Sequence, residues 1–245
     1  MAEAGLIVWV LLIIFLATVI RSAFGFGEAL VAVPLLALFI PVEIAAPLAV
    51  LVSITVAGVV LIQDWRHVHI GSAWRLILAT LPGIPLGLLM LTAVTECVVK
   101  AVLAVIIIGF SAYCLVRRTP FELKDDRLAW LFGFGAGVLG GAYGMNGPPL
   151  VIYGTLRRWS AERFRATLQG YFLPASLVVM AGYWLSGLWV PAVTHYYLLS
   201  LPLALAAILL GRMINRRLDS RRFILLVHLG LIVVGLTLLI QSIVQ

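Results

Sequence analysis

Two glycine-rich segments carry the residue types best suited to hold an anion. The first is Ala23-Phe24-Gly25-Phe26-Gly27, and the second runs from Gly140 to Pro149. Pro148 and Pro149 favour the start of a helix, so the residues before them should form an unwound tip that leads into a helix N-terminus. The free N–H groups and the dipole of such a terminus attract an anion without a charged side chain. The candidate backbone sites are therefore Gly25 and Gly27 in the first break, and Gly144 and Gly147 in the second.

Polar side chains near the two breaks are the candidates for orienting a substrate. Asn146 is the strongest, because a carboxamide in an apolar setting needs a hydrogen-bond partner; the alternative is a tip capped against its own backbone. Gln169 lies in the helix after the second basic loop, whereas Ser53 and Thr55 of the corresponding earlier helix are expected to bond back to that helix. Arg21 could neutralise a substrate anion if the first broken segment is re-entrant. If the segment crosses fully, Arg21 is instead a cytoplasmic residue of the positive-inside type.

Glu28 and His228 are the candidate proton carriers. Glu28 follows the first break by one turn, and burial near membrane depth disfavours the charged form of a carboxyl group. Its alternatives are an ion pair with Arg21 or a solvated tip. His228 lies about two turns into the last apolar run, where a satisfied or interfacial histidine is the simpler interpretation. Neither residue has spaced partners that indicate a metal, and the sequence predicts no metal and no cofactor.

The composition places these residues in a membrane. The 245-residue chain is 63% hydrophobic and 11% charged, with a mean hydropathy of +1.15. A soluble domain has about 45–50% apolar and about 25% charged residues, so this chain is predicted to be an all-α polytopic membrane protein. Nothing in it leaves room for a soluble catalytic or nucleic-acid-binding domain. We expect membrane lipids and a small anion as partners, no nucleic acid, and leave open a homo-oligomer.

Two apolar stretches, 5–40 and 129–156, are interrupted by the glycine segments and align with each other. Moving the chain by 119 to 120 positions places residues 23–25 on 142–144 and residues 81–82 on 201–202. This self-similarity predicts an internal duplication. The first repeat is 1–116, a cytoplasmic linker is 117–128, and the second repeat is 129–245. Each repeat should contain a glycine-broken helical hairpin and three transmembrane helices, giving about 8–10 helical segments.

The distribution of basic residues predicts the topology. Thirteen of the seventeen Lys and Arg residues lie in three short loops, at 117–127, 157–165 and 212–222. By the positive-inside rule these loops are cytoplasmic, so the net charge of +7 reports orientation and not a polyanionic ligand. Because the chain must cross the membrane an even number of times between two cytoplasmic loops, the second broken segment is predicted to be a hairpin. The same counting predicts that the two repeats are inverted relative to each other and that both termini lie outside.

The glycines of the second break also match a soluble-protein motif. Gly135, Gly137 and Gly140 have the spacing of a dinucleotide-binding loop, but that loop needs a preceding soluble strand. The four-residue spacing of Gly133, Gly137 and Gly141 instead predicts close packing of two membrane helices.

Inverted repeats with broken helices are typical of secondary transporters, which bind substrate near the midplane between the repeats. The pattern Gly25-Phe26-Gly27 followed by residues 31–36, repeated as Gly140-Gly141 through Gly147-Pro148-Pro149-Leu150-Val151, resembles the sulfite exporter TauE/SafE family of membrane permeases. That resemblance implies movement of sulfite or organosulfonates across a bacterial or archaeal cytoplasmic (inner) membrane.

The alternatives are a permease for another small anion or for a cation, a passive channel, and an intramembrane enzyme. A cation carrier needs carboxylates at membrane depth, and Glu28 alone qualifies. The sequence contains neither the His-Glu-x-x-His nor the Gly-x-Ser-x-Gly motif, so we predict that the protein is not an enzyme.

Overall fold

The protein is all-helical throughout the residues that the computed structural model describes, which are 2–64, 70–116, 123, 127–159, 161–215 and 220–244. Ten helices follow one another in these ranges, in agreement with the predicted fold class. They are α1 (Ala2–Phe24), α2 (Glu28–Leu36), α3 (Val42–Asp64), α4 (Ile70–Ala93), α5 (Glu96–Val116), α6 (Ala129–Tyr143), α7 (Gly147–Leu156), α8 (Ala161–Leu185), α9 (Pro191–Asn215) and α10 (Ser220–Val244).

Five of these helices are long and apolar enough to cross a bilayer. Their apolar spans are Gly5–Ala23, Val42–Val59, Trp74–Ala93, Glu96–Val116 and Pro191–Met213. By contrast, α2 has 9 residues and α7 has 10, which at 1.5 Å per residue gives about 15 Å or less. That is about half of a hydrocarbon core, so neither short helix can cross. The chain is a multi-pass membrane protein with two half-length helices.

Each short helix runs back along the helix before it. In the first pair, Thr18 of α1 contacts Glu28 at the start of α2, and the rings of Trp9 and Phe39 stack 5.8 Å apart further along. In the second pair, the rings of Phe132 and Tyr153 lie 5.5 Å apart. Both glycine-broken segments therefore fold back as hairpins with a short return arm, and their depth in the bilayer stays a prediction.

The order of a hairpin followed by three long helices occurs twice, in α1–α5 and in α6–α10. The two sets are interlocked, because α1 packs against α9 and α4 packs against α6. The helices α5 and α10 pack against each other in opposite directions. Near one end of the contact, Sγ of Cys97 lies 2.6 Å from the carbonyl oxygen of Ser242. Near the other end, the hydroxyl of Ser111 lies 3.4 Å from Nδ1 of His228. The repeat boundaries and their inverted relation stay predictions, and the linker at 117–128 lies outside the described residues except at positions 123, 127 and 128.

The ends of the helices form groups that match the predicted sides of the membrane. Leu123 and Arg157, from two loops predicted to be cytoplasmic, meet through a 2.9 Å hydrogen bond from the guanidinium to the carbonyl oxygen. Residues 37–41, Glu96 and Ile240 share one cavity, and all three segments are predicted to face outside. The grouping agrees with the predicted topology, while the side that each group faces stays a prediction.

Glycines hold α4 and α6 in close contact. A Cβ atom on Gly137 would overlap the carbonyl oxygen of Thr80, and one on Gly83 or Gly141 would overlap the facing backbone in the same way. The hydroxyl of Thr80 donates to the carbonyl oxygen of Gly133 at 3.0 Å across this contact. The small-residue spacing thus packs two membrane helices together, as the sequence indicated.

We predict that Gly137→Ala destabilises the protein, because its methyl group has no space between the two backbones. Overpacking costs about 1–3 kcal/mol, which should lower the melting temperature in detergent. Gly135→Ala on the same helix is the matched control, since its Cβ would meet nothing closer than 3.9 Å. Alanine also has the higher helix propensity, so this control should melt at or above the wild-type temperature. Equal melting temperatures for the two variants would contradict the tight contact.

Candidate functional site

The two hairpin tips meet at a small cavity. Its volume is about 30 Å³, which is enough for a water molecule. Residues from both tips, from the end of α1 and from α3 and α8 surround it. The lining consists of Arg21, Phe26, Gly27, Glu28, Ala29, Leu30, Ser53, Gly144, Met145, Asn146, Gly147, Pro148 and Phe172. Most of the residues predicted to bind substrate are thus brought together, although their function stays a prediction.

Left-handed glycines make the sharp turns at both tips. Gly25 and Gly27 have φ values of 84° and 98°, and Gly144 has a φ of 66°. The N–H of Gly25 donates to the carbonyl of Arg21 at 2.6 Å, and that of Gly144 donates to the carbonyl of Gly140 at 2.8 Å. Glycine adopts this backbone region without the steric cost that a Cβ adds. Gly25 does not line the cavity, so its part is to turn the chain.

Arg21 and Glu28 form a buried ion pair beside the cavity. Their residues are 4% and 3% exposed, and Nη1 of Arg21 lies 2.6 Å from Oε2 of Glu28. Nη1 also donates to the hydroxyl of Ser53, and the hydroxyl of Thr18 donates to Oε1 of Glu28 at 3.0 Å. The ion pair considered from the sequence is confirmed. Arg21 is thus packed inside the protein, whereas its position relative to the cytoplasmic side stays a prediction.

One edge of the Arg21 guanidinium is left without partners. Neither Nε nor Nη2 has a hydrogen-bond partner, although both are buried. The group lies over the ring of Phe172, 5.2 Å from the ring centre. Nε and Nη2 are the parallel donors with which arginine binds two oxygen atoms of one anion. The free edge is therefore a preformed two-donor site.

Asn146 adds another unpaired donor. The residue is 4% exposed, and its Nδ2 has no partner within hydrogen-bond geometry. Its carboxamide packs against Gly140, whose added Cβ would lie 3.2 Å away, and lies near the hydroxyl of Tyr171, which is itself bonded to Thr80. Asn146 precedes α7 but makes no side-chain capping hydrogen bond. The tip is capped by its own backbone, through the N–H groups of Gly144 and Met145 that donate to the carbonyls of Gly140 and Leu139.

The two helix N-termini at the cavity differ in what they offer. The first-turn N–H groups of a helix have no acceptor within it, and in α2 these belong to Glu28, Ala29 and Leu30. In α7 the second and third positions are Pro148 and Pro149, which have no N–H, so Gly147 supplies the one free donor of that turn. The first hairpin is therefore the stronger backbone site for an anion, whereas the sequence interpretation gave more weight to the second.

His228 lies away from the cavity. It is buried where α10 packs on α5, with Ser111 at 3.4 Å and the ring of Phe110 at 5.7 Å. The contact corresponds to the interpretation of a satisfied histidine. A role of His228 as a proton carrier stays a prediction.

Two further outcomes concern α3 and α8. The side chain of Gln169 lies outside the described residues. Ser53 was expected to bond back to its own helix but contacts Arg21, as Phe172 also does. Polarity alone marked Ser53, and no sequence signal marked Phe172. Within the described residues, no group of three or more His, Cys, Asp or Glu could hold a metal ion.

Comparison with known proteins identifies one family. The family model described as Sulfite exporter TauE/SafE matches residues 10–238, a span that includes both hairpin tips and every lining residue of the cavity between them. No curated protein and no solved structure matches the chain significantly.

We predict that Gly144→Ala destabilises the second tip. The left-handed backbone would cost about 1–2 kcal/mol with a Cβ, and the new atom would lie 2.7 Å from Cγ2 of Val50. The melting temperature in detergent should fall. Gly147→Ala is the matched control, because its Cβ would meet no atom within 4 Å and its φ is not positive. An unchanged melting temperature for Gly144→Ala would show that the turn does not need glycine.

Proposed function

Because the chain belongs to the sulfite exporter TauE/SafE family, we propose that it is a secondary transporter that moves a small sulfur-containing anion, sulfite or an organosulfonate, across the cytoplasmic membrane. Family membership makes it a membrane permease and supports a transporter over an enzyme. The substrate and the transport mechanism are the parts that we propose here.

The observation that carries the proposal is the set of unpaired donors at the cavity. Nε and Nη2 of Arg21 and Nδ2 of Asn146 are buried without acceptors. An unpaired buried donor costs about 1–3 kcal/mol, and a bound anion would supply the missing acceptors. A cation would need oxygen ligands, but the Glu28 carboxylate already accepts from Arg21 and Thr18. The site chemistry therefore favours an anion over a cation.

A sulfite or sulfonate group fits these donors in number and kind. Two of its three oxygen atoms would pair with the free edge of Arg21, and the third would accept from Asn146. The first-turn N–H groups of α2 lie on the same cavity wall and favour negative charge. Phe26, Met145 and Phe172 complete the lining, and would contact the apolar substituent of a short organosulfonate.

The position of the cavity between the two hairpin tips supports a mechanism in which the site opens. Phe26 and Glu28 of the first tip and Met145 and Asn146 of the second line it, so separation of the tips would expose it to substrate. We propose alternating access between related inward-open and outward-open states, as inverted repeats allow. The opposite directions of α5 and α10 support the inversion.

The interlocking of the helices changes which parts would move. Rocking of one whole repeat against the other would slide α4 along α6, where Gly83 and Gly137 leave no room for displacement. We propose that α4 and α6 move as one body and that the contacts at the tips and between α3 and α8 rearrange. The termini would lie outside, and the energy would come from an ion or substrate gradient.

A ligand screen by thermal shift tests the proposed substrate class. Sulfite, sulfate, sulfoacetate, taurine and carboxylates would each be added to detergent-solubilised protein. A ligand that binds the native state stabilises it, so sulfite or a sulfonate should raise the melting temperature. Protein in liposomes should then take up that ligand in a saturable way and show counterflow.

The liposome measurement also separates the alternatives. A passive channel would give flux that follows voltage without saturation. Saturable uptake of a cation with no anion flux would overturn the proposal.

Variants of the cavity give a second, residue-level prediction. Arg21→Lys keeps the charge but removes the two-donor edge, and loss of a charged hydrogen bond of about 1.5–3 kcal/mol should raise the KM for uptake by about 10- to 100-fold. Asn146→Ala removes one neutral donor and should raise the KM by about three- to tenfold.

Arg75→Lys is the control for these variants, because Arg75 stacks on Trp74 and does not line the cavity. It should keep the wild-type KM. All variants are compared at equal amounts of folded protein. A wild-type KM for Arg21→Lys would remove Arg21 from the binding site.

A further inference from the structure

The cavity is electrically neutral before an anion enters it. Arg21 and Glu28 are the charged side chains among its described lining residues, and they cancel each other at 2.6 Å. Both side chains are removed from solvent, so the charge of each is compensated by the charge of the other. An additional charge in this place would have no counter-charge.

The geometry of Arg21 allows an anion to bind while the ion pair stays closed. Glu28 and Ser53 engage Nη1, whereas Nε and Nη2 remain available on the other edge. A monovalent anion on that edge would leave the site with one excess negative charge. The penalty for an uncompensated buried charge is several kcal/mol, which disfavours binding of the anion alone.

A proton on Glu28 restores neutrality. Resting on the proposed function, we propose that Glu28 takes up one proton for each monovalent anion that binds at Arg21, so that the protein is an electroneutral proton–anion symporter. The proton comes from water on the side where the anion enters and is released with it on the other side. The site then alternates between Arg21 with ionised Glu28, and Arg21 with the anion and neutral Glu28.

The surroundings of Glu28 can accept this change. The hydroxyl of Thr18 donates to Oε1 in the ionised state, and a hydroxyl can turn to accept a hydrogen bond instead. A proton on Oε1 would therefore keep a partner. Oε2 would keep its contact with Arg21 as a carbonyl acceptor.

Arg21 is the charged group that faces Glu28 from the described helices around it. The residues around Glu28 come from four parts of the chain. They are Arg21 and Thr18 of α1, Ser53 of α3, Asn146 and Pro148 of the second tip, and Phe172 of α8. Lys100 and Glu96 of α5 pair with each other at 3.0 Å. They lie beside residues 37–41, beyond the end of α2 opposite to Glu28, where α10 contributes Ile240 and Gln241. Among the described residues, Arg21 is therefore the charged group whose interaction with Glu28 changes when Glu28 is protonated.

Electroneutral binding also predicts which anions the site prefers. A divalent anion with one proton would leave the site negative, so hydrogen sulfite and sulfonates should be preferred over sulfate.

Accumulation in liposomes under two separate driving forces tests the coupling. Methanesulfonate is the probe, because it stays ionised and carries no proton of its own; sulfite is run in parallel against protein-free liposomes. With the outside one pH unit more acidic and the voltage clamped at zero, the wild type should accumulate the probe about tenfold, the ratio of proton activities. A voltage that is positive inside, imposed without a pH gradient, should give no accumulation.

Glu28→Gln is the decisive variant, because glutamine resembles the protonated carboxyl but cannot release a proton. It should retain counterflow, lose accumulation driven by the pH gradient, and gain a response to voltage. Glu96→Gln is the matched control, since Glu96 is half exposed and lies away from the cavity, and it should behave as the wild type does. If Glu28→Gln does not fold, the wild-type comparison of the two gradients still decides.

The outcomes separate the coupling from the proposed function. Saturable uptake that follows voltage and ignores the pH gradient would overturn the coupling and leave anion transport standing. Coupling to pH that persists in Glu28→Gln would remove Glu28 from the proton path. No saturable flux of either anion in the wild type would overturn the proposed function and this inference together.

Discussion

A charged pair held out of water is the constraint on which the rest of the structure depends. Removing an arginine and a carboxylate from water costs several kcal/mol for each ion unless they meet in good geometry with further hydrogen bonds. Arg21 and Glu28 meet this requirement, because Thr18 and Ser53 supply the additional contacts. The pair forms only if the chain reverses between its two members, and the left-handed turns at Gly25 and Gly27 make that reversal. The glycines, the short return helix and the position of α3 therefore all serve one electrostatic arrangement.

The features that could be predicted from the sequence are those fixed by local backbone chemistry. Glycine and proline act on the residues beside them, so the two breaks, the hairpins and the start of α7 at Gly147 were predictable. The burial of Arg21 was not, because an arginine at a helix end has the same local pattern whether it is exposed to solvent or packed inside the protein. Ser53 and Phe172 reach the site through the packing of α3 and α8, which no local pattern encodes. His228 shows the converse, since its type suggested a proton carrier and its packing against Phe110 does not connect it to the site.

The two hairpins have similar backbones and different chemistry. The first brings the charged pair and three first-turn N–H groups, whereas the second brings Asn146 and two prolines that remove donors. The first tip therefore supplies the charged groups of the cavity, and the second tip supplies an uncharged donor. Either tip alone is therefore an incomplete site, because the charged donors belong to Arg21 beside the first tip and the uncharged donor belongs to Asn146 of the second.

The placement of the charged pair within one hairpin also limits how the protein can move. Arg21 and Glu28 are seven residues apart on the arms of the same turn, so a motion that shifts the first hairpin as a body keeps them together. Asn146 belongs to the other hairpin, and its distance from Arg21 changes when the tips separate. Breaking a buried ion pair by exposing one partner costs about 3–5 kcal/mol, whereas separating Arg21 from Asn146 breaks no hydrogen bond present in this structure. In the proposed mechanism, the path of lowest cost therefore opens the cavity between the hairpins and leaves the pair closed, which is also the condition under which a proton on Glu28 can balance an anion on Arg21.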